Sequence, residues 1–177
     1  AVTPCPLCLA RSGGAIRSNY LQETRAQARA RGWAADLICF RGCGDVMNRQ
    51  RRLYHAVETS DLGFVVDRLV SEDRDRPLVL AGVALGGNVR LKWLGERGTL
   101  LPPQVRAAAA VSVPFDLERG SRYIEHGLSR VYTRHFLRTL KVKARAKLEH
   151  FPGAIDAGAL DRAAYLYESE DAVTRPL

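Results

Sequence analysis

Residues 78–88 read Leu78-Val79-Leu80-Ala81-Gly82-Val83-Ala84-Leu85-Gly86-Gly87-Asn88. The apolar run Leu78 to Ala81 has the length of a short buried strand. Val89 to Leu94 follows with helical character, and a glycine-rich turn lies between. Strand, sharp turn and helix are the context that a G-x-S-x-G nucleophile turn requires. Glycines flank such a turn because the chain reverses tightly, and a Cβ there would strike the neighbouring strand or helix. The central residue is pushed out at the C-terminal edge of the sheet. Here it is Ala84, so the frame of a nucleophile stands without the nucleophile. Taken alone, G-x-x-x-G is more often an ordinary βα turn, and the rest of the chain has to decide.

Working outward, residues 5–10 predict a strand, with Pro6 pushing it toward an edge or a strand start. Residues 11–16 form a loop. Ser18 is the expected N-cap of a helix over Asn19–Arg31, which Gly32 stops. Asp36–Phe40 is a strand and 41–45 a tight turn. Thr59 is the expected cap of a helix over Ser60–Val70, with Leu62, Val65, Val66 and Leu69 on its buried face. Pro77 precedes the Leu78–Ala81 strand. The next helix runs to about Glu96 and ends at Gly98, and Val105–Val113 is a fourth strand closed by Pro114. This alternation predicts a parallel sheet with helices on both faces. Beyond Pro114 the rhythm changes. Residues 116–150 are helical, with a stripe of Leu128, Val131/Tyr132, Phe136, Leu140, Ala144 and Leu148, and Leu160–Glu168 is a further short helix.

A chain of 177 residues, 46% hydrophobic and 26% charged, suits one globular domain. The net charge of +8 is concentrated. Residues 128–150 hold seven basic residues (Arg130, Arg134, Arg138, Lys141, Lys143, Arg145, Lys147) against one acid, Glu149. A solvated helix face is the plain reading. A basic amphipathic helix also suits an anionic membrane surface. No nucleic-acid-binding motif accompanies the charge, so nucleic acid is not expected. The pairs Cys5/Cys8 and Cys39/Cys43 have zinc-like spacing. They adjoin strand-like runs rather than knuckle turns, so reduced thiols and no metal are expected. The start of the chain lacks the basic region of a signal peptide, and a cytoplasmic location is the expectation.

Several words together resemble one family. They are Asn-Tyr at 19–20, Arg-Gly-Trp at 31–33, Phe-Arg-Gly-Cys-Gly at 40–44, Arg-Leu-Tyr-His at 52–55, Leu-Gly-Gly-Asn-Val at 85–89, Leu-Lys-Trp-Leu-Gly at 91–95, Val-Pro-Phe-Asp-Leu at 113–117 and Asp-Ala-Val-Thr at 171–174. Their order resembles the YheT-like family of α/β-hydrolases, predicted hydrolases of carboxylic, lipid-like esters. The resemblance implies an α/β-hydrolase fold without metal or organic cofactor. It implies core elements over 1–115, a helical lid or insertion over 116–170 and a return toward the core at 171–177. It also implies a chain truncated at both ends, with the catalytic acid and histidine on strands beyond Leu177.

In that family a serine stands at position 84, attacks the ester carbonyl and passes its proton to histidine, while backbone N–H groups hold the oxyanion. The resemblance assigns one such donor to the Leu85 N–H. It assigns a second to a turn that here reads Ala10-Arg11-Ser12-Gly13-Gly14. Ser12, Ser112 and Ser121 are candidate replacement nucleophiles, none of them in a turn of the right kind. His55 is expected to make a structural hydrogen bond, and His126, His135 and His150 to be surface or packing residues. Two functional readings follow: an esterase-like chain inactivated by Ala84, or a non-enzymatic protein that uses the basic helix at a membrane surface or partner.

Overall fold

The computed structural model describes residues 19–41, 43, 49, 58–124, 126–127, 129–153 and 158, and the backbone of 5–10. The chain divides into two compact units, Ala1–Gly44 with Ala56–Val113, and Asp45–His55 with Pro114–Leu177.

The first unit is a small parallel sheet with helices on both faces. Its strands are β1 (Cys5–Ala10), β2 (Asp36–Cys39), β3 (Leu78–Val83) and β4 (Val105–Val111), in the order β2-β1-β3-β4. The helices are α1 (Asn19–Ala30), α2 (Ser60–Glu72) and α3 (Leu85–Arg97). β3 alternates between buried Leu78, Leu80 and Gly82 and half-buried Val79, Ala81 and Val83. The second set includes Ala81, which packs with Leu37 and Cys39 against Leu21 of α1. Gly82, on the opposite face, lies against α3. The reversal of direction between β1-α1-β2 and β3-α3-β4 therefore puts their helices on opposite faces, as right-handed crossovers demand. α2 joins the α3 layer, where Gly63 lies against the Trp93 indole.

Local signals explain the helix ends. Gly32, at φ +71°, closes α1: Trp33 N–H donates to the Ala28 carbonyl and Gly32 N–H to the Arg29 carbonyl, both at 2.9 Å. That is a Schellman stop, which uses the left-handed freedom of glycine. The expected cap of α2 needs correction. Thr59 makes no side-chain cap. Its hydroxyl donates instead to Glu96 Oε2 at 2.6 Å, and the Glu58 carboxylate accepts the Ser60 N–H at 2.8 Å. Glu96, bonded by Lys92 and then by Thr59, is held below its usual carboxylate range. The expected cap Ser18 and the helix 160–168 lie outside the described residues.

The second unit contains α4 (Leu117–Ile124) and α5 (Ser129–His150). Of the expected stripe on α5, Ala144 is buried, Leu140 and Leu148 are half-buried and Val131 is exposed, while Leu128 and the side chains of Tyr132 and Phe136 lie outside the described residues. Among the described side chains of this helix Thr133, Leu137, Ala144 and Lys147 are buried, whereas Val131 is 71% and Val142 61% exposed. Lys147 was expected on the basic face and is instead fully buried, its ammonium 4.4 Å from the Phe151 ring centroid. Burial pushes its pKa down. No described helix is long and apolar enough to cross a membrane.

Candidate active site at the elbow

The β3–α3 connection is a single residue, Ala84, at φ +50° and ψ −123°. L-residues rarely adopt this left-handed backbone, and a non-glycine residue there carries strain of about 1–3 kcal/mol. Packing on both sides enforces it. A Cβ at Gly82 would stand 2.5 Å from the Gly86 carbonyl oxygen and 2.6 Å from Arg90 Nη1. A Cβ at Gly87 would stand 2.7 Å from Val113 Cγ2. Strand and helix thus approach to a distance that only glycine allows. Ala84 itself is exposed, while Leu85, Gly86 and Gly87 are buried behind it.

Backbone bonds fix the turn from both directions. Ala84 N–H donates to the Val111 carbonyl of β4 at 2.9 Å. Gly87 and Asn88 N–H donate back to the Ala84 carbonyl at 3.0 and 3.1 Å, closing the first turn of α3. Leu85 N–H precedes these bonds at the head of the helix. The site stands at the C-terminal edge of the parallel strands, where open α/β sheets bind their ligands.

One feature escaped the sequence reading. Arg90 is fully buried on α3 with Val89 and Trp93, and its guanidinium occupies the space that Gly82 leaves open. The clue was its position one turn beyond Gly86, on the face that meets the sheet. Ser112, a candidate replacement nucleophile, stands at the end of β4. With Ala84 it is one of two non-glycine residues with a left-handed backbone among the described residues, at φ +52°.

The remaining expected residues scatter. His126 and His150 lie in the second unit, where a ring nitrogen of His150 meets the Ala146 carbonyl at 3.0 Å. The side chains of Ser121, Arg130 and His135 are outside the described residues, as are Ser12, His55 and the 11–14 part of the expected second oxyanion turn. Arg134, Arg138 and Arg145 are exposed on α5, and Lys141 and Lys143 half-buried. Among the described residues no three His, Cys, Asp or Glu side chains gather into a metal site. Cys39 is half-buried and Cys43 buried.

Sheet and elbow together define an α/β-hydrolase-like protein with a small sheet. The chain is similar to a putative esterase: it is 37% identical over 163 residues to the putative esterase YheT of Escherichia coli (strain K12). The match covers 91% of this chain and 47% of that protein, so the chain spans about half the length of its relative. No protein-family model matches. In three dimensions it is similar to the crystal structure of a putative hydrolase from Legionella pneumophila. The TM-score is 0.51 and the identity 15%, covering 99% of this chain and 58% of the other. At that identity the likeness speaks to the fold alone.

Proposed function

We propose that the elbow is the acyl-binding site of a YheT-like carboxylic-ester hydrolase, and that with Ala84 it binds an ester without cleaving it. The observation that carries this reading is the backbone of Ala84, strained at φ +50° and exposed at the strand edge with a methyl where attack requires a hydroxyl. In an esterase, a serine oxygen at this position adds to the carbonyl carbon, and negative charge develops on the carbonyl oxygen. Leu85 N–H is the donor assigned to that oxygen. It is a backbone group, so replacing serine by alanine leaves it in place. Loss of a nucleophilic serine costs on the order of 10⁶ in kcat. The test is hydrolysis of 4-nitrophenyl butyrate. The chain is expected to match the buffer rate, and turnover well above buffer would show that chemistry resides elsewhere.

A second reading concerns α5, on the observation that Arg134, Arg138 and Arg145 are exposed along with Val131 and Val142. This face suits the anionic headgroups of a membrane, giving a cytoplasmic protein held peripherally. Sedimentation with vesicles containing phosphatidylserine is expected to carry the protein down, and added salt to release it. Equal binding to pure phosphatidylcholine at every salt concentration would reject the electrostatic component.

A further inference from the structure

Ser112 follows β4 directly and lies beside the elbow. Val111 pairs with Val83 across the β3–β4 ladder, and its carbonyl accepts the Ala84 N–H at 2.9 Å. Ala84 and Ser112 are therefore next neighbours on adjacent parallel strands, about 5 Å apart by the usual strand spacing. They are also the two non-glycine residues with left-handed φ among the described residues, +50° and +52°. Both are exposed at the same sheet edge.

The backbone at Ser112 has an identifiable cause. Pro114 restricts Val113 to extended conformations. The Val113 side chain is seated where Gly87 leaves room, 2.7 Å from the position of a Cβ there. With Val113 held on both counts, the chain must change direction at Ser112. That accounts for the turn but not for the residue, since glycine would make it without strain. The Ser112 hydroxyl is bonded to none of the described residues, and no described histidine or carboxylate activates it. It is a donor without a base, suited to hold an oxygen rather than attack a carbon.

We infer that Ser112 is a ligand-contacting residue of the elbow site, its hydroxyl donating to an oxygen of the carboxylate or ester group held at Leu85 N–H. This rests on the elbow being the acyl-binding site. It makes the group bound there an oxygen acceptor, such as a carboxylate or carboxylic ester, rather than an amine.

Hexanoate serves as the probe, titrated into the full chain while the Leu85 amide is followed by ¹⁵N NMR. Hexanoate is expected to shift the Leu85 amide. Ser112→Ala keeps the backbone demand and removes only the hydroxyl, so it should weaken binding about three- to tenfold. Ser112→Gly removes the hydroxyl and the strain together, so it should weaken binding equally while raising the urea midpoint. Unchanged affinity in both variants, with Leu85 still responding, would overturn the role of Ser112 and leave the elbow reading intact. No response at Leu85 in any of the three proteins would overturn both.

Discussion

Replacing Ala84 by glycine should make this protein more stable, which is the reverse of what that substitution does almost everywhere else. At φ +50° and ψ −123° the alanine Cβ is crowded by its own backbone, at about 1–3 kcal/mol. Glycine removes that strain. Against it stands the greater freedom of glycine in the unfolded chain, about 0.4–1 kcal/mol. The methyl group is exposed, so little burial is lost. Ala84 is also the N-cap of α3, a position where glycine is preferred to alanine. The balance is a gain of about 1 kcal/mol, or about 2–4 °C in Tm for a chain of this size. Urea unfolding followed by circular dichroism measures it, provided the slope m is unchanged. Ala26→Gly is the control. Ala26 is exposed within α1, and glycine there should cost about 1 kcal/mol. Opposite signs for the two variants support the elbow backbone. If Ala84→Gly loses stability as Ala26→Gly does, position 84 has an ordinary backbone and the elbow assignment fails with it.

Gly82→Ala should cost more than about 3 kcal/mol or prevent folding, because its Cβ meets the Gly86 carbonyl at 2.5 Å; a urea midpoint within error of the parent would refute the close approach. Arg41 and Asp61 form a two-pronged pair, Nε to Oδ2 at 2.6 Å and Nη2 to Oδ1 at 2.5 Å. Both side chains are 30% exposed, so after solvent screening Asp61→Asn should cost about 1 kcal/mol and less in high salt; a salt-independent loss in the midpoint would argue against the ion pair. Burial lowers the Lys147 pKa in the folded protein from an ordinary 10.5. Between the lowered value and 10.5 the unfolded chain binds more protons, so stability from this residue rises with pH across that window. Lys147→Met should abolish the rise, as unfolding midpoints measured from pH 7 upward will show.

The βαβ rhythm and the elbow could be read from the sequence because hard steric facts set them. Gly82 and Gly87 occupy contacts closed to any side chain, and Gly32 stands where the chain needs a left-handed residue. On α5 the expected stripe and the buried seam share Leu140 and Ala144 and differ in their spacing. The expected stripe from 132 to 148 advances by four residues at each step, and four residues turn a helix by about 400°, so it drifts about 40° per step. The buried positions Thr133, Leu137, Ala144 and Lys147, with half-buried Leu140 between them, alternate steps of four and three and stay on one face. A polar threonine at one end and a charged lysine at the other hid that seam, because a hydrophobicity pattern gives neither residue weight. Lys147 can sit there because its stem is apolar and its head lies over Phe151. At Thr59 the residue type suited a cap, but Glu96 on a neighbouring helix competed for the hydroxyl. Local propensity cannot see such a partner.

Geometry and chemistry at the elbow come from different residues. The turn is held by the Gly82–Gly86 contact, by Val113 against Gly87, and by the hydrogen bond from Ala84 N–H to Val111. None of these uses the side chain at position 84. The residue there is free to change without moving the turn, and it is exposed, so a serine oxygen would meet no buried neighbour. Strain at a site persists when the surroundings over-determine it. Here they do so even though the side chain that would use the strain is missing. An alanine at φ +50° gains nothing locally from that backbone, so the cost is borne for the packing of strand against helix. The acyl-binding frame in the proposed reading therefore survives the loss of its nucleophile as a consequence of how the core is packed.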